Sequence, residues 1–86
     1  MPSKTVIVGS AVGLHARPAT IIAEAAAAYD DEITLAVEGE EPVDAGSSLM
    51  IMTLGAEKGA TVTVESENAE AVDAIAALIE QDLDAE

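Results

Sequence analysis

The sequence predicts an α+β fold in the order βαββαβα, an antiparallel sheet with its helices packed on one face. Three observations carry this. Short β-branched segments alternate apolar and polar residues, as half-buried strands do. An alanine-rich stretch and a C-terminal stretch place apolar residues at helical spacing. Glycine-containing turns punctuate the boundaries between them. Strands with one apolar face and helices with one apolar stripe are both satisfied by an antiparallel sheet covered on one side.

The first strand is expected over residues 3 to 9, rich in β-branched types and ending at Gly9, with Val6 and Val8 sharing a face. Gly9 to Gly13 reads as a loop. A helix is expected from Ala16 to Ala28, because alanine is the best helix former and Pro18 falls in the first turn, where proline is tolerated. His15 then falls at or beside the N-cap. Ile22, Ala23 and Ala26 lie on one stripe, and Tyr29, the single aromatic residue, closes that end.

A second strand is expected over residues 32 to 38, with Ile33, Leu35 and Val37 on one face. Gly39-Glu40-Glu41 makes a hairpin into a short edge strand around Pro42-Val43-Asp44, since proline is confined to strand edges and starts. A short helix begins after Gly46, capped by Ser47 or Ser48, and carries Leu49, Met50, Ile51, Met52 and Leu54. After the Glu57-Lys58-Gly59 turn, residues 60 to 65 alternate again, with Val62 and Val64 inward. Asn68 is the expected cap of a last helix bearing Val72, Ile75, Ala76, Ile79 and Leu83, with Glu70, Asp73 and Glu80 toward water. Asp84-Ala85-Glu86 is expected to fray.

The chain of 86 residues has room for one compact domain, residues 1–86, and no large enclosed cavity, so its chemistry belongs on the surface. The absence of cysteine excludes disulfides, thiolate metal sites and cysteine nucleophiles. No metal or other cofactor is called for. No secretory leader or membrane-spanning run is evident, which makes a cytoplasmic location the default expectation. With 17 acidic residues against 3 basic ones the net charge is −14, so nucleic acid and anionic membranes are poor partners. Half the residues are apolar, which separates this chain from acidic disordered sequences. Molar salt shortens the screening length to ~3 Å and would relieve the self-repulsion, so a salt-rich cytoplasm is one expected setting and plain acidity the other.

The informative stretch is Gly13-Leu14-His15-Ala16-Arg17-Pro18-Ala19, which holds the only histidine and the only arginine. The first amides of a helix lack internal partners and carry a partial positive charge, so an anion there gains hydrogen bonds and a favourable dipole. Pro18 has no N–H, which leaves the Ala16 and Arg17 amides as the nearest main-chain donors. Arg17 adds a charged planar fork. An imidazole with an unperturbed pKa of ~6.5 is a nucleophile near neutral pH and needs no buried triad. Taken alone, a His-x-Arg pair more often caps a helix than performs chemistry.

This stretch resembles the active-site signature of the HPr family, the histidine phosphocarriers of the sugar phosphotransferase system. The run from Val43 to Gly55, followed by Lys58-Gly59-Ala60, resembles the family's second block, and the similarity extends over essentially the whole chain. The resemblance implies an open-faced β-sandwich with strand order 1-4-2-3. It also implies that His15 accepts a phosphoryl group through Nδ1 from enzyme I, with Arg17 assisting, and passes it to enzyme II A domains. The chain would then act as a phosphoryl carrier rather than a free-standing catalyst, as a monomer. Paralogous carriers serve nitrogen-regulatory or dihydroxyacetone kinase relays with the same site residues. A module that binds and regulates without transfer is a further alternative, against which the presence of His15 speaks.

Ser47 aligns with a serine that is phosphorylated for regulation in some family members, while the plain reading of Ser47 is a helix cap. Where relatives surround the site with lysines, this chain has only Lys4, Arg17 and Lys58 as basic residues. Leu49, Met50 and Met52 are therefore expected to form an apolar docking patch for partners. Successive side chains of so short a helix cannot all point inward, so Leu49 or Met50 is expected at the surface.

Overall fold

The computed structural model describes residues 2–9, 13–14 and 16–81. The elements are β1 (Ser3–Ile7), α1 (Ala16–Ala27), β2 (Ile33–Val37), β3 (Val43–Asp44), α2 (Ser48–Thr53), β4 (Thr61–Ser66) and α3 (Ala69–Glu80). The strands form one sheet in the order β1-β4-β2-β3, and every pairing is antiparallel. This is the α+β architecture and the strand order anticipated above.

Alternation builds one side of the sheet. Val6, Val8, Ile33, Leu35, Val62 and Val64 are buried, and they meet Ile22 of α1, Ile51 of α2 and Val72, Ile75 and Ile79 of α3 in a single core. The register aligns Val6 with Val62 and Leu35 with Val64, so the apolar side chains share one face. The other face carries Thr5, Thr34, Ala36, Thr61 and Thr63, and the Thr5 and Thr63 hydroxyls meet across the strands at 3.1 Å. Ile7 stands on that face and is exposed. The buried polar residue Ser66 accepts the Asn68 N–H through Oγ at 3.1 Å, which satisfies it.

The boundaries differ from the sequence reading by one or two residues. Strand pairing of β1 ends at Ile7, although the Val8 amide still donates to the Ala60 carbonyl at 2.9 Å. β4 starts at Thr61 and runs one residue further, to Ser66, which pairs with Ile33 and donates its N–H to the Pro2 carbonyl. α1 stops at Ala27 because the Ala28 and Tyr29 amides turn to carbonyls three residues back, a tightened last turn. Tyr29 is half buried against the core at that end. The expected roles of Leu83 and of the last three residues lie outside the described residues.

Candidate functional site

Two glycines steer the chain into α1. The Gly9 amide donates to the Ile79 carbonyl at 3.0 Å, and a Cβ on Gly9 would fall 1.8 Å from the Glu80 carbonyl oxygen. Gly13 has φ of 75°, in the left-handed region, and a Cβ there would lie 2.4 Å from the Ala56 carbonyl oxygen. Leu14 is buried and its amide donates to that same oxygen at 2.9 Å. Two residues after Leu14 the chain enters α1, whose first turn is Ala16, Arg17 and Pro18. Pro18 and Ala19 are buried, which fixes the start of the helix against the core, and Arg17 is exposed. His15 lies outside the described residues.

The second half of the region is α2, which packs against α1. Asp44 prepares its start: its Oδ1 accepts the Gly46 amide at 2.8 Å and its carbonyl accepts the Ser47 amide at 3.2 Å. Ser47 is the N-cap, with extended backbone and Oγ accepting from the Met50 amide at 3.3 Å. Of the two serines weighed for this role, Ser48 is instead the first helical residue. Ile51 points into the core, whereas Leu49 and Met50 are 72% and 42% exposed. Met52 is partly buried and packs on the core, so the exposed apolar surface of α2 is made by Leu49 and Met50.

The loop after α2 closes the region. The Ala56 carbonyl holds Leu14, the Glu57 carbonyl accepts the Ala60 amide at 2.9 Å, and the Gly59 amide donates to Val8 at 3.0 Å. Residues 56–60 are thus fastened to both Val8 and Gly13-Leu14. Sequence reasoning gave this segment as a turn and, by resemblance, as the end of the family's second block, without its contacts to Val8 and Gly13-Leu14. The Glu57-Lys58-Gly59 triplet marks a turn but not what the turn packs against.

Two surface cavities lie elsewhere. One is bounded by Tyr29, Asp30, Asp31, Glu32, Asp44 and neighbours, the other by Glu40, Glu41, Val43, Thr53 and Leu54. Neither includes Leu14 or Arg17. Among the described residues no group of three or more histidine, cysteine or acidic side chains is placed to hold a metal ion, and no helix is long and apolar enough to cross a membrane.

Comparison with known proteins agrees with this geometry. Residues 2–81 match the family described as PTS HPr component phosphorylation site. The chain is 40% identical over 87 residues to the phosphocarrier protein HPr of Streptomyces coelicolor, across 98% of this chain and 94% of that one. The crystal structure of HPr-C-His from Thermoanaerobacter tengcongensis matches with a TM-score of 0.88 at 31% identity, covering 100% of this chain and 99% of that chain. An HPr from Bacillus anthracis matches with a TM-score of 0.84 at 32% identity, covering 91% and 95%. With the sheet order and nearly the whole sequence in agreement, the chain belongs to the HPr family of phosphotransferase-system phosphocarriers.

Proposed function

We propose that the protein is a single-domain, monomeric phosphoryl carrier of the cytoplasm that takes a phosphoryl group from phosphorylated enzyme I on His15 and delivers it to enzyme II A domains of sugar transporters. The observation that carries this reading is the position of the Gly13-to-Ala19 motif. A glycine-steered, core-anchored segment leads into the N-terminus of α1, and the motif's histidine stands one residue before that helix.

In the proposed step Nδ1 of the neutral imidazole attacks phosphorus as the donor's bond to phosphorus breaks, its electron pair staying with the donor. The ring keeps its proton on Nε2. The new group is an anion at a helix start, where the Ala16 and Arg17 amides and the partial positive charge of α1 favour it. The Arg17 guanidinium adds a charge-assisted contact to the phosphoryl oxygens as charge redistributes during transfer. Because Pro18 has no N–H, the donors are concentrated on the two residues that follow His15. Leu49 and Met50, with the part of Met52 that reaches the surface, form the apolar docking area for both partners. Ser47 is assigned to capping α2, and phosphorylation of its Oγ would replace that cap with a dianion beside the docking area.

The test is incubation with phosphoenolpyruvate and a matched enzyme I at high salt, scored for acid-labile, alkali-stable label. Label on the wild type and none on His15→Ala is the expected result. Label that survives His15→Ala refutes the assignment. Parallel incubation of the labelled carrier with acceptor domains from sugar, nitrogen-regulatory and dihydroxyacetone kinase branches identifies the relay it serves.

A further inference from the structure

The chain has neither cysteine nor tryptophan, so its most readily oxidised side chains are the thioethers of Met1, Met50 and Met52. Met1 lies outside the described residues. The other two stand two positions apart on α2, and the fold treats them differently. Met50 is 42% exposed and follows Leu49, which is 72% exposed. Met52 is partly buried and packs on the core.

The backbone of Met50 is held from both sides. Its amide donates to Ser47 Oγ at 3.3 Å, and its carbonyl accepts the Thr53 hydroxyl at 2.5 Å. Ile51, the next residue, is fully buried and fastens α2 to the core. The helix therefore keeps its place without help from the Met50 side chain, and a change of chemistry at that side chain alters the surface rather than the fold.

We propose that Met50 is a reversible oxidation site, and that its conversion to the sulfoxide by hydrogen peroxide switches off partner docking. This rests on the docking role proposed above for Leu49 and Met50. A sulfur lone pair attacks one peroxide oxygen, and the S–O bond forms as the O–O bond breaks. After proton transfer the second oxygen leaves as water, so the thioether loses the two electrons that the peroxide gains. The product is a polar, chiral side chain in place of an apolar one. In the free protein its oxygen is hydrated. In a docked complex it is stripped of water against an apolar surface, which opposes association. The oxidised protein keeps its fold and the chemistry assigned to His15 and Arg17, and loses affinity for its partners.

The full chain, Met50→Leu and Met52→Leu are treated with graded hydrogen peroxide and followed by tandem mass spectrometry. Phosphorylation by enzyme I is then measured for each protein against its own untreated form. Met50 gains one oxygen several-fold faster than Met52, because susceptibility follows exposure. As it does so KM rises about tenfold, the scale of a polar group desolvated at an interface, with kcat and melting temperature unchanged. Met52→Leu shows the same rise and Met50→Leu shows none. Methionine sulfoxide reductases A and B, supplied with dithiothreitol as the two-electron donor, restore the untreated KM. Oxidation of Met52 ahead of Met50, a KM indifferent to the Met50 sulfoxide, or an equal rise in treated Met50→Leu overturns the proposal. So does a melting temperature that falls with Met50 alone oxidised, or a KM that the reductases do not restore. Where KM ignores oxidation, the double change of Leu49 and Met50 to glutamine tells which reading has failed. A KM that also ignores the double change removes the docking role and the switch together, whereas a KM raised by it keeps docking and refutes the switch alone. Absence of label from every protein, treated or not, refutes the carrier function, and the switch falls with it.

Discussion

The backbone of Gly13 packs directly on that of Ala56. The missing Cβ would stand 2.4 Å from the Ala56 carbonyl oxygen, and the next residue, Leu14, donates its amide to that oxygen at 2.9 Å. One carbonyl thus accepts a hydrogen bond and excludes a side chain in the segment that leads to the proposed phosphoryl acceptor.

Gly13→Ala combines a positive φ with a backbone collision, and each is costly. Left-handed backbone alone costs a non-glycine residue about 1–3 kcal/mol. With the collision added, the melting temperature is expected to fall by more than about 10 °C, since 1 kcal/mol corresponds to roughly 4–8 °C in a domain of this size. Gly39→Ala is the comparison: its φ is 85°, but nothing lies within 4 Å of the added Cβ. Its loss should be limited to the backbone term. Equal melting temperatures for the two variants would show that the Gly13–Ala56 contact relaxes freely.

Leu49 and Ile51 are two residues apart on α2 and should respond oppositely to truncation. Ile51 is fully buried, so Ile51→Ala is expected to cost about 2–5 kcal/mol and to lower the unfolding midpoint in urea. Leu49 is 72% exposed, so Leu49→Gln should leave the midpoint within about 0.5 kcal/mol of wild type. If Leu49 and Met50 dock partners, the double change to glutamine raises KM for phosphorylation about tenfold, the range expected for interface residues worth more than 1 kcal/mol. An unchanged KM in the double variant removes α2 from the docking surface.

The contrast within α2 marks what the sequence could disclose. Alternation identified Val62 and Val64, Ile33 and Leu35, and the inward stripe of α3, because a sheet and a helix impose periods of two and 3.6 on buried residues. A run such as Leu49-Met50-Ile51-Met52 has no period. The inward choice of Ile51 depends on where α1 lies. Strand order came from family resemblance, since period says which face is buried but not which strand is the neighbour. At the site, the motif from Gly13 to Ala19 drew its chemical reading from family resemblance, since a His-x-Arg pair at a helix start reads first as a cap. Its contact with Ala56 and Glu57 was not legible, because close approach between segments distant in the chain leaves no local pattern beyond a glycine that has many other uses.

Ser47 offers a measurable cap. Its Oγ accepts the Met50 amide at 3.3 Å, near the long limit for such a bond, so Ser47→Ala should cost about 0.5–1 kcal/mol, the lower part of the range for N-caps. Ser47→Asp retains an acceptor and adds negative charge at a helix start, which restores stability. The order expected in thermal unfolding is Ser47→Ala below both wild type and Ser47→Asp. A Ser47→Ala protein as stable as wild type would mean that the cap bond contributes nothing net.

Asn68 caps α3 twice and reaches across to Asp31. Its Oδ1 accepts the Glu70 and Ala71 amides at 3.0 and 3.3 Å, and its Nδ2 donates to the Asp31 carboxylate at 3.0 Å. Asn68→Ser keeps the cap and drops the link to Asp31. Asn68→Asp keeps the cap and turns the link into a contact between two carboxylates. At neutral pH and low salt Asn68→Asp is therefore expected to melt a few degrees below Asn68→Ser, exposed charge pairs being worth up to about 1 kcal/mol. In molar salt the two should converge. Equal melting temperatures at low salt would show that the Asp31 contact opens in solution.

Salt should act on the whole molecule as well as on that pair. At about 0.01 M salt the screening length is ~30 Å. The described residues span 29 × 27 × 20 Å, so at that salt carboxylates across the whole domain repel one another. At about 1 M the length is ~3 Å and only adjacent charges interact. The melting temperature is therefore expected to climb with sodium chloride between these limits. The strongest local contribution should come from Asp30, Asp31 and Glu32, which share a cavity wall with Asp44 at the C-terminal end of α1, where the helix dipole is itself negative. Replacing Asp30 and Glu32 with their amides, while leaving Asp31 to Asn68, should raise the melting temperature at low salt and leave it unchanged at 1 M. A wild-type melting temperature that stays flat across the salt range would show that these carboxylates are too well hydrated to strain the fold. The acidity would then be a matter of solubility rather than of adaptation to salt.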